Sequence, residues 1–111
     1  MPVIQSAIVS LLDYLPLEVV AEKTAHNPAR IFKTLDRGFI REGYWADLTL
    51  VDTNAPHTVC PENIVYKCGW SPFEGITFKS SIATTLVNGQ IAYQNGQVNT
   101  SVRGQRLLFD R

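Results

Sequence analysis

Neither sign of charge is in excess in this sequence, because ten Lys and Arg residues balance ten Asp and Glu residues. The balance removes the electrostatic argument for nucleic acid or an anionic membrane as a partner. No apolar run approaches the roughly 20 residues that a membrane-spanning helix needs. The segment 1–6 lacks the basic region of a secretory signal, so we expect a cytoplasmic protein.

Several arrangements that carry catalytic or binding chemistry are also missing. The sequence has no His-x-His pair, no glycine-rich phosphate loop, no Ser-His-Asp arrangement and no internal repeat. Glu74 has no second carboxylate or base at a telling distance. We predict that it is solvated or salt-bridged, because one glutamate does not make a catalytic site.

Only two cysteines occur, Cys60 and Cys68, which is few for a disulfide-stabilised secreted domain. We predict that both are reduced thiols in or near strands. A disulfide is one alternative. A zinc site formed by His57, Cys60 and Cys68 is another, although the spacing lacks the tight Cys-x2-Cys pair of structural zinc sites.

The first third of the sequence has helical periodicity. Apolar residues recur with helical spacing over residues 3–15, which predicts an amphipathic helix. A second helix is predicted over 16–25, and Pro28 stops or restarts it. A short helix over 29–35 then ends, with Gly38 as its C-terminal cap.

The tripeptide His26-Asn27-Pro28 is explained by backbone geometry. Asn27 is a suitable N-cap, and Pro28 suits the first helical position, where its missing N–H has no partner to lose. We therefore predict that His26 is a capping or packing residue rather than a ligand.

Strand and turn signals fill the remainder. Residues 47–52 are apolar and β-branched and predict a strand, and a second strand is predicted over 82–87. The pair Asn88-Gly89 predicts a type I′ turn into residues 90–93, and Asn95-Gly96 predicts another turn into 97–98.

The loops carry two further expectations. Residues 58–59 are expected to pair briefly at a sheet edge. The loop over 69–75 combines turn formers with two aromatic rings, so we predict that buried Trp70 and Phe73 anchor it.

The stretch over residues 38–52, GFIREGYWADLTLVD, resembles the C-terminal signature of the amidohydrolase superfamily. Residues 26–32, HNPARIF, resemble the segment on that family's last barrel helices. KCGWSPFEG at 67–75 resembles a run of dihydroorotases and their cyclic-amidase relatives. TLVNGQIAY at 85–93 resembles the family's closing hairpin, and RGQRLLFDR at 103–111 resembles the tail of bacterial dihydroorotases. The matches occur in order over nearly the whole chain.

The resemblance implies an α+β fold in two parts. Residues 1–37 would be the terminal helices of a (β/α)8 barrel, and residues 38–111 the C-terminal strands, hairpin and tail of a small composite β-sandwich. The family's metal ligands precede the matching region. The chain itself would therefore hold no catalytic residue, metal ligand or cofactor, with zinc expected in the full-length enzyme. Pro2 and Val3 are the only candidates for substrate contact, because the family's neighbouring loop lies close to the bound ring.

The implied function is that of the C-terminal fragment of a dihydroorotase-like metal-dependent hydrolase. Such an enzyme interconverts N-carbamoyl-L-aspartate and L-dihydroorotate in pyrimidine biosynthesis, and we expect this chain alone to be inactive. Its partner would be the rest of the barrel or a second copy, because unpaired strand edges and an apolar face are open to association. The alternatives are a stand-alone structural module that partners an amidohydrolase barrel, and a fragment of a hydantoinase or allantoinase.

Overall fold

The N-terminal third of the chain is helical. In the computed structural model, which describes residues 1–111, a 3-10 turn at Ile4–Ser6 leads into helix α1, Ala7–Leu12. The predicted helix over 3–15 is confirmed except at its end. There the N–H groups of Tyr14 and Leu15 both donate to the carbonyl of Leu11, which closes a turn.

A second helical segment continues without a break through three elements. Helix α2, Leu17–Ala21, passes through a π turn, Glu22–His26, into helix α3, Asn27–Phe32. The prediction that Asn27 is an N-cap is wrong, because its dihedrals are helical, with φ −65° and ψ −45°. Its N–H donates to the carbonyl of Glu22. This wider turn accommodates Pro28, which has no N–H to donate to the preceding turn.

Helix α3 ends at Phe32, before the predicted end at residue 35. Lys33 is left-handed, with φ 53° and ψ 46°. Its N–H donates to Arg30, and the N–H of Thr34 donates to Ala29, which is the bonding pattern of a Schellman motif. The predicted capping role of Gly38 is therefore wrong, and Lys33 takes it.

Four antiparallel strands form the main sheet in the order β1-β4-β5-β6. The bounds are Leu48–Asp52 for β1, Ser81–Val87 for β4, Gln90–Gln94 for β5 and Gln97–Val98 for β6. Each predicted strand is confirmed to within one residue. Asn88-Gly89 and Asn95-Gly96 all have positive φ, which confirms both predicted turns.

A two-stranded ribbon covers the small core. Strand β2, His57–Thr58, pairs with β3, Thr77–Phe78, one residue before the expected edge pair. A 3-10 turn at Pro61–Asn63 follows β2. The buried core cluster consists of Val9, Val59 and Phe78.

The two predicted anchors of the loop over 69–75 differ. Phe73 packs against the core cluster, with its ring 5.6 Å from that of Phe78 in a T-shaped arrangement, which confirms it as an anchor. Trp70 is 49% exposed, so the prediction that it is buried is wrong. One ring suffices here because turn bonds also hold the loop. The N–H of Gly75 donates to the carbonyl of Val59 at 2.8 Å.

The chain exposes much surface for its mass. Its accessible area is 7942 Å², whereas a compact monomer of 12.4 kDa exposes roughly 6,100 Å². The excess of about 1,800 Å² is larger than the roughly 800 Å² that each partner buries in a standard interface.

The helices and antiparallel sheets confirm the α+β class. The barrel and sandwich parts, with their boundary at residues 37 and 38, stay predictions. None of the helices reaches the length and apolar character that a membrane span requires.

Candidate functional site

The predicted substrate contacts lie at the start of the 3-10 turn. Pro2 and Val3 are half-buried, and the carbonyl of Val3 accepts from the N–H of Ser6 at 3.2 Å. Neither residue lines the two clefts described below. Their role in substrate contact stays a prediction.

His26 joins the π turn to the segment that follows α3. Its Nδ1 donates to the carbonyl of Gly38 at 2.8 Å, since a carbonyl only accepts. Its ring stacks on Phe39, with the ring centroids 4.5 Å apart. These contacts confirm His26 as a packing residue. The guanidinium groups of Arg30 and Arg41 also lie over the Phe39 ring, at 5.2 and 4.3 Å.

Gly38 lets this segment approach the helix closely. It has φ +85°, and a Cβ built there would lie 2.4 Å from the Cβ of Ala29 and 2.9 Å from the carbonyl oxygen of Ala25. Any larger residue would push the segment off the helix. Glycine at this position is therefore required by the backbone conformation and by the packing together.

An ion pair between a buried arginine and a partly exposed aspartate connects the helical part to the sheet. Arg37 pairs with Asp47, and the two side chains are 10% and 31% exposed. The other Asp47 oxygen accepts from the N–H of Asn88 at 2.7 Å. The side-chain oxygen of Asn88 then accepts from the N–H of Gln105 at 2.9 Å. This network ties the segment after α3 to the β4-β5 turn and to the tail.

Sequence reasoning missed this network. Asp47 was assigned only to a strand, and Arg37 received no role. Asp47 lies 10 residues from Arg37 and 41 residues from Asn88 along the chain, so no spacing rule links the three residues. The tertiary fold alone brings them together.

Two clefts flank the network. The tail cleft, of about 410 Å³, lies between α3 and the C-terminal residues, and Phe32, Arg37, Leu107 and Phe109 are among its lining residues. The edge groove, of about 400 Å³, lies between α2 and β1 and is lined largely by apolar side chains, among them Leu17, Val20, Phe39, Ile40 and Leu48.

The metal-binding types of side chain do not gather at one place in the fold. No three His, Cys, Asp or Glu residues lie close enough together to hold a metal ion. Cys60 and Cys68 are free thiols, so neither the alternative zinc site with His57 nor a disulfide is formed. Glu74 is exposed. The residues present do not fit the zinc ion that the family resemblance implies for a full-length enzyme.

The exposed carboxyl of Glu62 lies beside two hydrogen-bond donors. A hydrogen bond from its own backbone N–H, and a second from the Cys60 thiol, hold the pKa of this exposed carboxyl below its ordinary value. Both bonds stabilise the 3-10 turn at Pro61–Asn63. They serve local structure, because both donors belong to this 3-10 turn or to its N-cap residue, Cys60.

Comparison with known proteins identifies what the chain is similar to. The sequence profile of the amidohydrolase family matches residues 5–93. The dihydroorotase of Pyrococcus abyssi is 33% identical over 97% of this chain and 28% of its own length. An allantoinase of Desulfitobacterium hafniense is 36% identical over 83% of this chain and 20% of its own length. A dihydroorotase of Endomicrobium trichonymphae is 40% identical over 72% of this chain and 19% of its own length. The chain thus spans about a quarter of the length of the relatives, or less.

Proposed function

The chain belongs to the amidohydrolase family, and from that premise we propose that it is the C-terminal, non-catalytic part of a dihydroorotase-like hydrolase of cyclic amides. The enzyme would interconvert L-dihydroorotate and N-carbamoyl-L-aspartate in pyrimidine biosynthesis. The cytoplasmic location expected from the sequence stays a prediction.

One observation carries the proposal. The similarity to the dihydroorotase of Pyrococcus abyssi extends over 97% of this chain but over only 28% of that enzyme. Nearly all of this chain is matched, but the match covers only a minor part of the relative. This is the pattern expected of one structural portion of a larger enzyme. In this proposal the chain contributes a folded surface that packs against the rest of the enzyme.

The metal chemistry belongs to the other portion in this proposal. In a hydrolase of this type, a bound zinc ion supplies an activated water and polarises the substrate carbonyl. No group of side chains in this chain fits such an ion. In this proposal no residue of this chain takes part in a chemical step, and we expect the chain alone to turn over no dihydroorotate.

The surface supports a packing role. Only five hydrophobic residues are buried, and many large ones remain exposed, among them Ile31 at 73%, Phe32 at 59% and Leu108 at 53%. These three lie on α3 and on the tail that binds beside it. Large apolar patches that are exposed mark interaction sites. We propose that this face packs against the rest of the amidohydrolase.

The experiment isolates the native polypeptide with an antibody raised against residues 38–52. The captured material is sized, then assayed with dihydroorotate and with allantoin, before and after treatment with a metal chelator. The expected result is a polypeptide several times larger than 12.4 kDa that hydrolyses dihydroorotate and loses this activity with the chelator. The recombinant 111-residue chain, assayed in parallel, is the matched control and is expected to be inactive.

Each other outcome overturns a defined part of the proposal. Hydrolysis of allantoin in place of dihydroorotate would assign the alternative substrate, which the 36% identity to an allantoinase favours. A 12.4 kDa band that copurifies with a separate amidohydrolase chain would replace the proposal with a stand-alone structural module. Turnover of dihydroorotate by the recombinant chain would contradict the non-catalytic assignment.

A further inference from the structure

The two Asn-Gly turns of the main sheet have nearly the same backbone conformation. Asn88 and Gly89 have φ of 51° and 79°, and Asn95 and Gly96 have φ of 52° and 78°. Each pair is the two-residue loop of a hairpin, between β4 and β5 in one case and between β5 and β6 in the other. A difference in chemical reactivity between the two asparagines is therefore expected to come from their tertiary contacts.

An asparagine that precedes glycine is prone to spontaneous deamidation, because glycine has no side chain to hinder attack by its own backbone nitrogen. In this reaction, base removes the proton from the glycine N–H, and the nitrogen forms a bond to the asparagine Cγ. The bond from Cγ to Nδ2 breaks, and the amide group leaves as ammonia after taking a proton from water. Water then opens the cyclic imide at either carbonyl, which leaves aspartate or isoaspartate.

At Asn88 the attacking group and the leaving group are both held. The N–H of Gly89, whose nitrogen would attack, donates to the carbonyl of Ala46 at 3.0 Å. The side-chain oxygen of Asn88 accepts from the N–H of Gln105 at 2.9 Å, and its Nδ2 is buried. The backbone N–H of Asn88 also donates to Asp47 at 2.7 Å. The imide cannot form until these contacts break.

At Asn95 no comparable contact restrains the turn. Asn95 and Gly96 are both exposed, and none of the backbone hydrogen bonds outside the helices and strands involves either residue. Strand β6, which closes this hairpin, has two residues, whereas β4 has seven. A short strand pair with few buried contacts opens locally at a low cost in free energy. Opening lets the nitrogen of Gly96 approach the Cγ of Asn95.

We propose that Asn95 is a site of spontaneous deamidation in the folded chain, and that tertiary contacts protect Asn88 from the same reaction. The proposal does not rest on the proposed function, because the reaction uses only atoms of Asn95, Gly96 and water. The product adds a negative charge to a chain whose charges otherwise balance. The isoaspartate form also lengthens the main chain of the turn by a methylene group. The turn then no longer matches the β5-β6 register, so modification releases β6 from the sheet.

The test follows both sites while the 111-residue chain is incubated in mildly alkaline buffer, with circular dichroism as the check that it is folded. Trypsin releases both sites on one peptide, residues 80–103, because no lysine or arginine lies between Lys79 and Arg103. Fragmentation in a mass spectrometer locates the mass gain produced when OH replaces NH2. Asn95 is expected to convert at least about tenfold faster than Asn88, because the hydrogen bonds that hold the Asn88 turn must break first.

Incubation in guanidinium chloride is the matched control. The two sites are expected to convert at similar rates there, because the unfolded chain keeps only the local sequence, which is Asn-Gly at both. The variant Gln105→Pro removes the N–H that holds the Asn88 side chain. It is expected to accelerate conversion at Asn88 and to leave the rate at Asn95 unchanged.

Several results would overturn the proposal. One is conversion of Asn88 in the folded chain at the same rate as Asn95, or faster. Another is an Asn95 that stays unmodified in the folded chain but converts in guanidinium chloride, because the fold would then protect this turn too. An unchanged rate at Asn88 in Gln105→Pro would overturn the cause assigned to its protection.

Discussion

Substitution of Gly38 tests how closely the segment after α3 packs on the helix. Gly38→Ala must hold an L-residue at φ +85°, which costs about 1–2 kcal/mol. Its Cβ would also lie 2.4 Å from that of Ala29, and overpacking of this kind costs about 1–3 kcal/mol. The sum, about 2–5 kcal/mol, is a large part of the about 5–15 kcal/mol that stabilises a typical domain.

The assay is urea denaturation followed by circular dichroism, with all variants at one protein concentration, together with thermal melting. At roughly 4 °C for each kcal/mol, the Tm of Gly38→Ala is expected to fall by about 8–20 °C. Gly43→Ala is the matched control, because Gly43 has φ +84° but no atom within 4 Å of the added Cβ. It is expected to lose only the conformational part, about 1–2 kcal/mol.

A double variant separates the two contributions further. Ala29→Gly removes the methyl group that the new Cβ would strike, so Gly38→Ala should cost less in that background than in the wild type. The recovery is expected to be partial, because the carbonyl oxygen of Ala25 still lies 2.9 Å from the Cβ. If Gly38→Ala is no more destabilising than Gly43→Ala, the close approach of Gly38 to the helix makes no contribution to stability.

Three further predictions concern other contacts. Arg37→Met should lower the free energy of unfolding by about 2–3 kcal/mol, which is at or below the roughly 3–5 kcal/mol that breaking a fully buried pair costs, because about a third of the Asp47 side chain is exposed. Urea denaturation measures this. Lys33→Gly should raise the free energy of unfolding by about 0.5–1 kcal/mol, because glycine relieves the left-handed φ of 53°. Cys60→Ala should raise the pKa of Glu62 part of the way towards its ordinary value of 4.5, since the bond from the Glu62 N–H remains; an NMR titration of the carboxyl carbon measures this. Because the folded-state pKa of Glu62 is lowered, its stabilisation is present above pH 4.5 and is lost as the pH falls through the folded-state pKa.

Each of these predictions has a contradicting result. An Arg37→Met variant as stable as the wild type would mean that the ion pair contributes nothing to joining helix and sheet. A Lys33→Gly variant that is less stable would mean that the lysine side chain has contacts that outweigh its backbone strain. An unchanged Glu62 pKa in Cys60→Ala would leave the backbone bond as the sole cause of the shift.

The strands and the tight turns were determined by the sequence itself. Alternating and β-branched residues mark β1 and β4, and each Asn-Gly pair supplies the two positive φ values that a type I′ turn demands. These properties depend on a residue and its immediate neighbours. For the same reason the first helix was predicted from its periodicity, apart from its last turn.

The family and the packing role of His26 were also accessible from the sequence. The ordered motifs over residues 26–111 predicted an amidohydrolase, and the profile match to residues 5–93 supports this independently. The prediction that Asn27 is an N-cap was wrong because it assumed that Pro28 begins a new helix. The chain instead continues through a π turn, in which the N–H of Asn27 donates to the carbonyl of Glu22, five residues earlier. The prediction for Trp70 failed because burial depends on which surfaces the rest of the chain offers.

Only the tertiary structure decided the contacts between residues far apart in the sequence. The Arg37–Asp47–Asn88 network joins three residues that no local pattern connects, through the side chains of Arg37 and Asp47 and the backbone N–H of Asn88. The sequence predicted Gly38 only as a helix cap, whereas it must be glycine because of its positive φ and its approach to Ala25 and Ala29 on the helix. The position of β1 at one edge of the sheet likewise follows only from the strand order. Local conformational preferences act over a few residues, whereas packing, ion pairs and strand neighbours are fixed by how the whole chain is folded.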